Sequence, residues 1–100
     1  MLLKDFNETF QDELLDPEFA ASYLEAALQE GGRETFLIAL KDIAAAQGGM
    51  TRLAKQTSLG RESLYKSLSE QGNPEFRTVL AVMDALGLRL SVARVQMKGG

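Results

Sequence analysis

The sequence predicts a mainly α protein with five helices followed by one C-terminal β-strand. Three observations predict this fold. Apolar residues recur every three or four positions between residues 16 and 87, which is the period of helices with one buried face. Proline residues and glycine pairs stand where those helices should start and stop. After Gly87, apolar and other residues alternate, which is the period of a strand.

The first two helices are separated by a pair of glycines. Asp16-Pro17 predicts a helix start, because the carboxylate accepts a free backbone N–H and proline lacks an N–H that the first turn does not need. Gly31-Gly32 predicts the end of this helix. A second helix is expected from about Glu34 to Ala46, with Gly48-Gly49 ending it. The first helix has an apolar face made of Phe19, Ala20, Tyr23, Leu24, Ala27 and Leu28.

The remaining three helices are shorter. Residues 50–57 predict a helix with Leu53 and Ala54 facing inward, and a three-residue joint, 58–60, precedes a helix at 61–69. Asn73-Pro74 predicts the start of the fifth helix, which Gly87 ends. The apolar stripe of that helix is expected to contain Phe76, Val79, Leu80, Met83 and Leu86.

Residues 88–95 predict a strand that needs a pairing partner. Leu88, Leu90 and Val92 alternate with Arg89, Ser91 and Ala93. A lone strand leaves its backbone groups unsatisfied. We expect it to pair antiparallel with the same strand of a second copy, which would make the segment a dimerisation element. The alternative is pairing with residues 2–6 of the same chain.

Composition limits the possible functions. One hundred residues predict a single core, and the absence of cysteine and histidine excludes disulfides, zinc-finger spacings and nucleophiles paired with histidine. No apolar run is long enough for a membrane span or a signal peptide, so we expect a cytoplasmic protein. Four carboxylates surround a helix start, where capping explains them better than acid catalysis: Asp12, Glu13, Asp16 and Glu18. We therefore expect no enzyme, no cofactor and no metal.

The charge is divided unevenly along the chain. Residues 1–47 have ten acidic and three basic residues, a net charge of −7, whereas residues 48–100 have a net charge of +4. A split of this size suggests a basic partner for the first half and a polyanion for the second. An uneven distribution of solvated charges is the alternative interpretation.

Residues 50–69 have the layout of a helix-turn-helix. Ala54 is small enough for a second helix to cross close above it, Leu59 fills the corner, and Leu64 anchors the second helix. The exposed start of the second helix would then face DNA bases with Arg61, Glu62, Ser63, Tyr65 and Lys66. The arginine side chain can donate to O6 and N7 of guanine, and the glutamate carboxylate can accept from the amino group of cytosine. Arg52 and Lys66 are better placed to contact phosphate groups. Asn73 completes the predicted DNA-binding set.

Residues 49–87 resemble the Cro/C1-type helix-turn-helix family, which implies a lambda-repressor-like domain. The phrases DPEFAASYLEAAL and RESLYKSLSEQGNP resemble, more specifically, the HigA-like addiction module antidote proteins, and this similarity covers residues 3–95. The resemblance implies an antitoxin that neutralises a RelE-like or HigB-like ribonuclease toxin and represses its own operon as a homodimer on double-stranded operator DNA. A stand-alone phage- or plasmid-type repressor, and a protein-interaction module without DNA binding, are the alternatives.

Three positions differ from the usual helix-turn-helix pattern. Ser58 stands where glycine is common, so a positive φ there would be strained. Gly60 replaces the usual serine or threonine cap of the second helix. Gly49-Met50 replaces a Thr-Gln pair whose glutamine commonly contacts phosphate.

The chain is expected to have three parts: an N-terminal segment at 1–15 that binds a partner, a helical domain at 16–87, and the C-terminal segment at 88–95. In the first part, Phe6 and Phe10 lie four residues apart among carboxylates, an arrangement suited to binding a basic toxin if this stretch is helical. The alternative is that both rings pack on the core of the domain.

Overall fold

A computed structural model describes residues 6–69 and 71–95, with side chains from Phe10 onward. The described residues form five helices: α1 (Phe6–Leu14), α2 (Pro17–Ala46), α3 (Gly49–Thr57), α4 (Arg61–Ser67) and α5 (Phe76–Ala85). The expected mainly α class is confirmed. The helices do not correspond one to one with those expected, because residues 6–14 are helical and the two helices predicted between 16 and 46 form the two arms of α2.

The α2 helix folds back on itself at Gly32. This residue has φ 72° and ψ −148°, a backbone conformation that is open essentially only to glycine. The Tyr23 hydroxyl donates to Asp42 Oδ2 at 2.6 Å. In a straight helix these two residues would be about 28 Å apart, so the arms 17–31 and 33–46 lie side by side. The predicted helix break at Gly31-Gly32 is therefore confirmed.

All five helices contribute to one hydrophobic core. The α1 helix packs on α2, α3 packs on α2, α4 and α5, and the deepest side chains come from every element. Phe10 of α1 is half-buried and makes edge-to-face contacts with Phe19 at 6.3 Å and Tyr23 at 5.1 Å between ring centroids. The largest fully buried side chains are those of Leu14, Leu37, Leu40, Ile43, Leu53, Leu64, Leu68 and Val82.

Two helix starts were predicted from Asx-Pro pairs, and they have different outcomes. Asp16 caps α2 as expected, since its Oδ1 accepts from the Glu18 amide at 3.2 Å. The start predicted at Asn73-Pro74 is wrong by two residues, because α5 begins at Phe76 with Glu75 as its N-cap. Thus Asn73 belongs to the loop between α4 and α5 and not to a helix cap.

The predicted C-terminal β-strand is wrong. Residues 88–95 form neither a helix nor a strand, and no strand is present in residues 6–69 or 71–95. The physical reason is the absence of a paired backbone within the described chain, without which alternation alone stabilises no strand. Leu88 packs partly on the core, while Leu90 is 44% exposed and Val92 is 94% exposed. The alternative partner, residues 2–6, lies almost entirely outside the described part of the chain.

The Tyr23–Asp42 hydrogen bond gives the first testable prediction. Tyr23→Phe keeps the ring contact with Phe10 and removes the hydroxyl, so we expect the free energy of unfolding to fall by about 1 kcal/mol at neutral pH. Urea unfolding followed by circular dichroism measures this change. Tyr65→Phe is the control, because Tyr65 is 45% exposed and lies on α4.

The same bond predicts a specific loss of stability in alkali. Burial, together with the hydrogen bond and the charge of Asp42, raises the pKa of Tyr23 from 10.0 to about 12. The neutral phenol is therefore favoured by folding, and its contribution is complete below pH 10 and lost as pH rises through 12. We expect the free energy of unfolding of Tyr23→Phe to fall less between pH 10 and 12 than that of the wild type. An identical alkaline loss in Tyr23→Phe would contradict this role for the bond.

Candidate nucleic-acid interface

Helices α3 and α4 are joined by a three-residue connection, Ser58 to Gly60. Leu53 of α3 and Leu64 of α4 are each 1% exposed, so both helices are anchored on the same core. Leu59 is half-buried and packs against that core from the connection. These positions match the inward roles expected from the sequence.

The connection is held by Thr57 and contains a strained residue. The Thr57 hydroxyl donates to the Leu53 carbonyl at 2.8 Å, and its oxygen accepts from the Leu59 amide at 3.3 Å. Ser58 has φ 60° and ψ 23°, in the left-handed region. A positive φ is therefore present in a residue with a Cβ, and this is the strained case considered for Ser58, which costs free energy.

Replacing Ser58 by glycine is expected to stabilise the protein. Glycine adopts φ 60° without the steric cost, although its unfolded chain has more entropy, so the net gain should be about 0.5–1 kcal/mol. Ser63→Gly is a matched control on the exposed side of α4, where glycine should destabilise by about 0.5 kcal/mol. Thermal unfolding of both variants measures the difference. A loss of stability in Ser58→Gly would contradict the strain at this position.

The outer face of α4 is polar and exposed. It is formed by Arg61, Glu62, Ser63, Tyr65 and Lys66, all of which the structure places on the surface. The Arg61 guanidinium lies over the Tyr65 ring, 5.6 Å from its centroid, in a cation–π contact. As expected, Gly60 is the N-cap of α4, and it supplies no side-chain hydrogen bond. This face can therefore present one arginine fork, one carboxylate and one ammonium group to a ligand.

The other two predicted DNA-binding residues have different surroundings. Arg52 Nη1 donates to the Gln47 carbonyl at 2.8 Å and so caps the end of α2. Asn73 is exposed beside a polar recess of about 500 Å³ that Lys66 also lines. The structure thus brings Asn73 and Lys66 to the same side of the molecule.

Phe6 and Phe10 are the two residues expected to bind a toxin, and the structure describes the side chain of Phe10 alone. The side chain of Phe6 lies outside the described part of the chain, although its backbone is the start of α1. Phe10 packs on Phe19 and Tyr23, which is the core-packing alternative considered above. A nearby apolar side chain that the sequence did not single out is Leu15, which is 54% exposed between Glu13 and Asp16.

The α5 helix exposes apolar residues that the sequence assigned to the core. Phe76 is 64% exposed and Leu80 is 39% exposed, whereas Val82 and Met83 are buried. The stripe expected from Phe76 to Leu86 is therefore wrong for two of its members, whereas Val79, Met83 and Leu86 pack on the core as expected. Beside Leu80 a groove of about 500 Å³ is lined by Met83, Asp84, Gly87, Leu88, Arg89 and Leu90.

The described residues contain no group of three or more acidic side chains placed to hold a metal ion. Within residues 6–69 and 71–95, no helix is long and apolar enough to cross a membrane. The candidate site is the exposed polar face of α4 on a helical scaffold. This arrangement defines a class of small, mainly helical proteins that present a polar helix face.

Comparison with known proteins identifies the family. The family model described as "Probable addiction module antidote protein" matches residues 3–94, and the chain belongs to this family. It is also 44% identical over 90 residues to an "Uncharacterized protein" of Haemophilus influenzae (strain ATCC 51907 / DSM 11121 / KW20 / Rd), and the match covers 90% of each chain. No solved structure matches.

Proposed function

We propose that this protein is the antitoxin of a type II toxin–antitoxin module. In this proposal it neutralises a RelE-like or HigB-like ribonuclease toxin and represses its own operon by binding operator DNA as a dimer. Membership of the addiction module antidote family supports the antitoxin role. The DNA-binding role, the dimer and the kind of toxin are each supported by separate features of the chain.

The exposed face of α4 is the observation that carries the DNA-binding proposal. Leu64 and Leu68 are at most 1% exposed and hold the helix on the core, which leaves Arg61, Tyr65 and Lys66 turned outward. A short helix held in this way after a three-residue turn is suited to the major groove. We assign base contacts to Arg61, Glu62 and Ser63, and phosphate contacts to Arg52, Lys66 and Asn73.

The outer face of α5 supports the dimer. Phe76, Leu80 and Asp84 follow one another at four-residue spacing along the exposed side of this helix, and Arg89 lies across the adjoining groove. In a two-fold interface each patch meets its own copy, and Asp84 and Arg89 offer opposite charges for pairing between copies. The surface presents two apolar side chains beside one acidic and one basic group, and a second copy of the chain is the occupant that we propose for it.

The acidic half of the chain supports a basic toxin as partner. A ribonuclease presents cationic side chains to RNA, and an acidic surface gains both attraction and contact energy against them. Residues 1–47 have a net charge of −7. We assign Phe6 to the toxin contact as an apolar anchor, and Phe10 belongs to the same N-terminal segment. We add Leu15, an exposed apolar side chain with Glu13 and Asp16 close to it in sequence.

Co-expression with the product of the adjacent gene tests the antitoxin function. We expect that product alone to arrest growth, and this chain to restore growth and to co-purify with it. A partner of about a hundred residues with a basic composition fits the proposal. Continued growth arrest, with both proteins soluble and separate, would contradict it and favour the stand-alone repressor.

A further inference from the structure

The loop between α4 and α5, described at residues 68–69 and 71–75, is tied to the turn of α2 by one side chain. Arg33 Nη1 donates to the carbonyl oxygen of Gly72, 39 residues further along the chain. Arg33 directly follows Gly32, where α2 folds back. The bond therefore connects the hairpin of α2 to the loop that follows the exposed helix α4.

Gly72 lies directly against the end of α4. A Cβ at this position would be 2.2 Å from the Ser67 carbonyl oxygen and 2.6 Å from the Lys66 carbonyl oxygen. Both contacts are to backbone, so no side-chain movement can relieve them. The Gly72 amide also donates to the Ser69 carbonyl at 2.8 Å. Gly72 therefore packs closely on the carbonyl groups that end α4, in a space that no other residue type could occupy.

The α4 helix has few other supports. It has seven residues, and no side chain caps its N-terminus. Helices of this length do not form alone in water, so tertiary contacts must hold it. Leu64 and Leu68 anchor its inner side, and the loop at Gly72 supports its C-terminal end. This loop also forms the polar recess that Lys66 and Asn73 line.

We propose that Arg33 is a positioning residue for the DNA-binding face. By holding the Gly72 carbonyl, it sets the end of α4 and orients Lys66 and Asn73 toward the DNA backbone. It also links the loop after α4 to the α2 hairpin, both arms of which belong to the acidic half of the chain. This inference rests on the proposed DNA-binding function, and it assigns a role to a residue that does not itself contact DNA.

Two variants of Arg33 and one control test this role. Arg33→Ala removes the bond and leaves a part-buried carbonyl without its donor, whereas Arg33→Lys keeps the charge and can restore one hydrogen bond. Lys41→Ala removes one positive charge from the same arm of α2 and serves as the control. We measure amide hydrogen exchange at Gly72 in the free protein, and affinity for the DNA upstream of the protein's own gene by fluorescence anisotropy.

We expect Arg33→Ala to speed exchange at Gly72 and to weaken DNA binding, each by about tenfold, because a bond to a charged donor is lost. Arg33→Lys should recover part of both effects, and Lys41→Ala should change neither by as much. Unchanged exchange at Gly72 in Arg33→Ala would overturn the positioning role. Equal losses of DNA affinity in Arg33→Ala and Lys41→Ala would also overturn the positioning role. That result would show that removing any positive charge from this arm of α2 weakens binding equally.

Salt dependence separates positioning from direct contact. If Arg33 itself bound a phosphate, Arg33→Ala would lower the slope of log affinity against log salt by about 0.9 without changing exchange at Gly72. That result would also overturn the proposal. If the wild-type protein binds no DNA at all, the proposed function fails, while exchange at Gly72 still decides whether Arg33 holds the loop.

Discussion

Arg61→Ala is expected to weaken operator binding by about 1–3 kcal/mol, or roughly five- to 150-fold, and to relax base preference at one position in each half-site. Arg61 is at the exposed start of α4, where a helix in the major groove meets base edges. Its guanidinium rests on the Tyr65 ring, which holds the fork on the outer face of the helix. The variant removes this fork and leaves Leu64 and the core unchanged.

Lys66→Ala is the comparison for this experiment. A phosphate contact is independent of DNA sequence, so this variant should weaken binding to all DNA sequences similarly. It should also lower the slope of log affinity against log salt by about 0.9 per contact. Arg77→Ala is the matched control, because Arg77 is exposed on α5 and pairs with Glu75 at 2.9 Å. Anisotropy titrations with the operator and with scrambled DNA measure these differences. If Arg61→Ala and Lys66→Ala bind like the wild type, α4 does not present the recognition face.

Leu80→Asp is expected to convert the proposed dimer to monomers and to reduce operator affinity by more than a hundredfold. The new carboxylate would lie one helical turn from Asp84, in the centre of the apolar stripe on α5. Two such carboxylates would meet at the two-fold axis, where like charges repel. A single α4 helix buries too little surface for tight binding, so the loss of the second half-site removes most of the affinity.

The Leu80→Asp result depends on the fold remaining intact. Leu80 is 39% exposed, so a carboxylate at this position can reach solvent in the monomer. Leu28→Asp is the matched control, since Leu28 is 48% exposed on the first arm of α2, far in sequence from α5. Sedimentation equilibrium and thermal unfolding report mass and stability. A Leu80→Asp protein that stays dimeric would exclude the α5 face as the interface.

Local chemistry allowed much of the fold to be predicted. The Asp16 cap follows from a carboxylate that accepts a nearby backbone N–H, and the break at Gly31-Gly32 follows from the freedom of glycine to adopt a positive φ. Burial of Leu53 and Leu64 follows from helical spacing. Features of this kind depend on short stretches of sequence, which is why the two short helices and their buried anchors could be predicted, whereas the DNA-binding role of α4 stays a proposal.

Other features depend on contacts that no short stretch contains. The bond from Arg33 to Gly72 joins residues 39 positions apart, and neither residue belongs to a recognisable motif. Phe76 and Leu80 are exposed because the core contacts made by α5 end at Val79, Val82, Met83 and Leu86, and a helical period alone does not show how wide the covered face is. Alternation at residues 88–95 predicted a strand, but a strand exists only where another backbone pairs with it.

One measurement tests the central claim, that this antidote protein binds its own operator through α4. The purified protein is titrated at low salt against DNA from upstream of its own gene, and the Arg61→Ala/Lys66→Ala double variant is titrated beside it. We expect a specific complex with two protomers per inverted repeat, half-sites about 34 Å apart, and loss of that complex in the double variant. Absence of any shift by the wild-type protein at low salt, or an equal shift by the double variant, would contradict it.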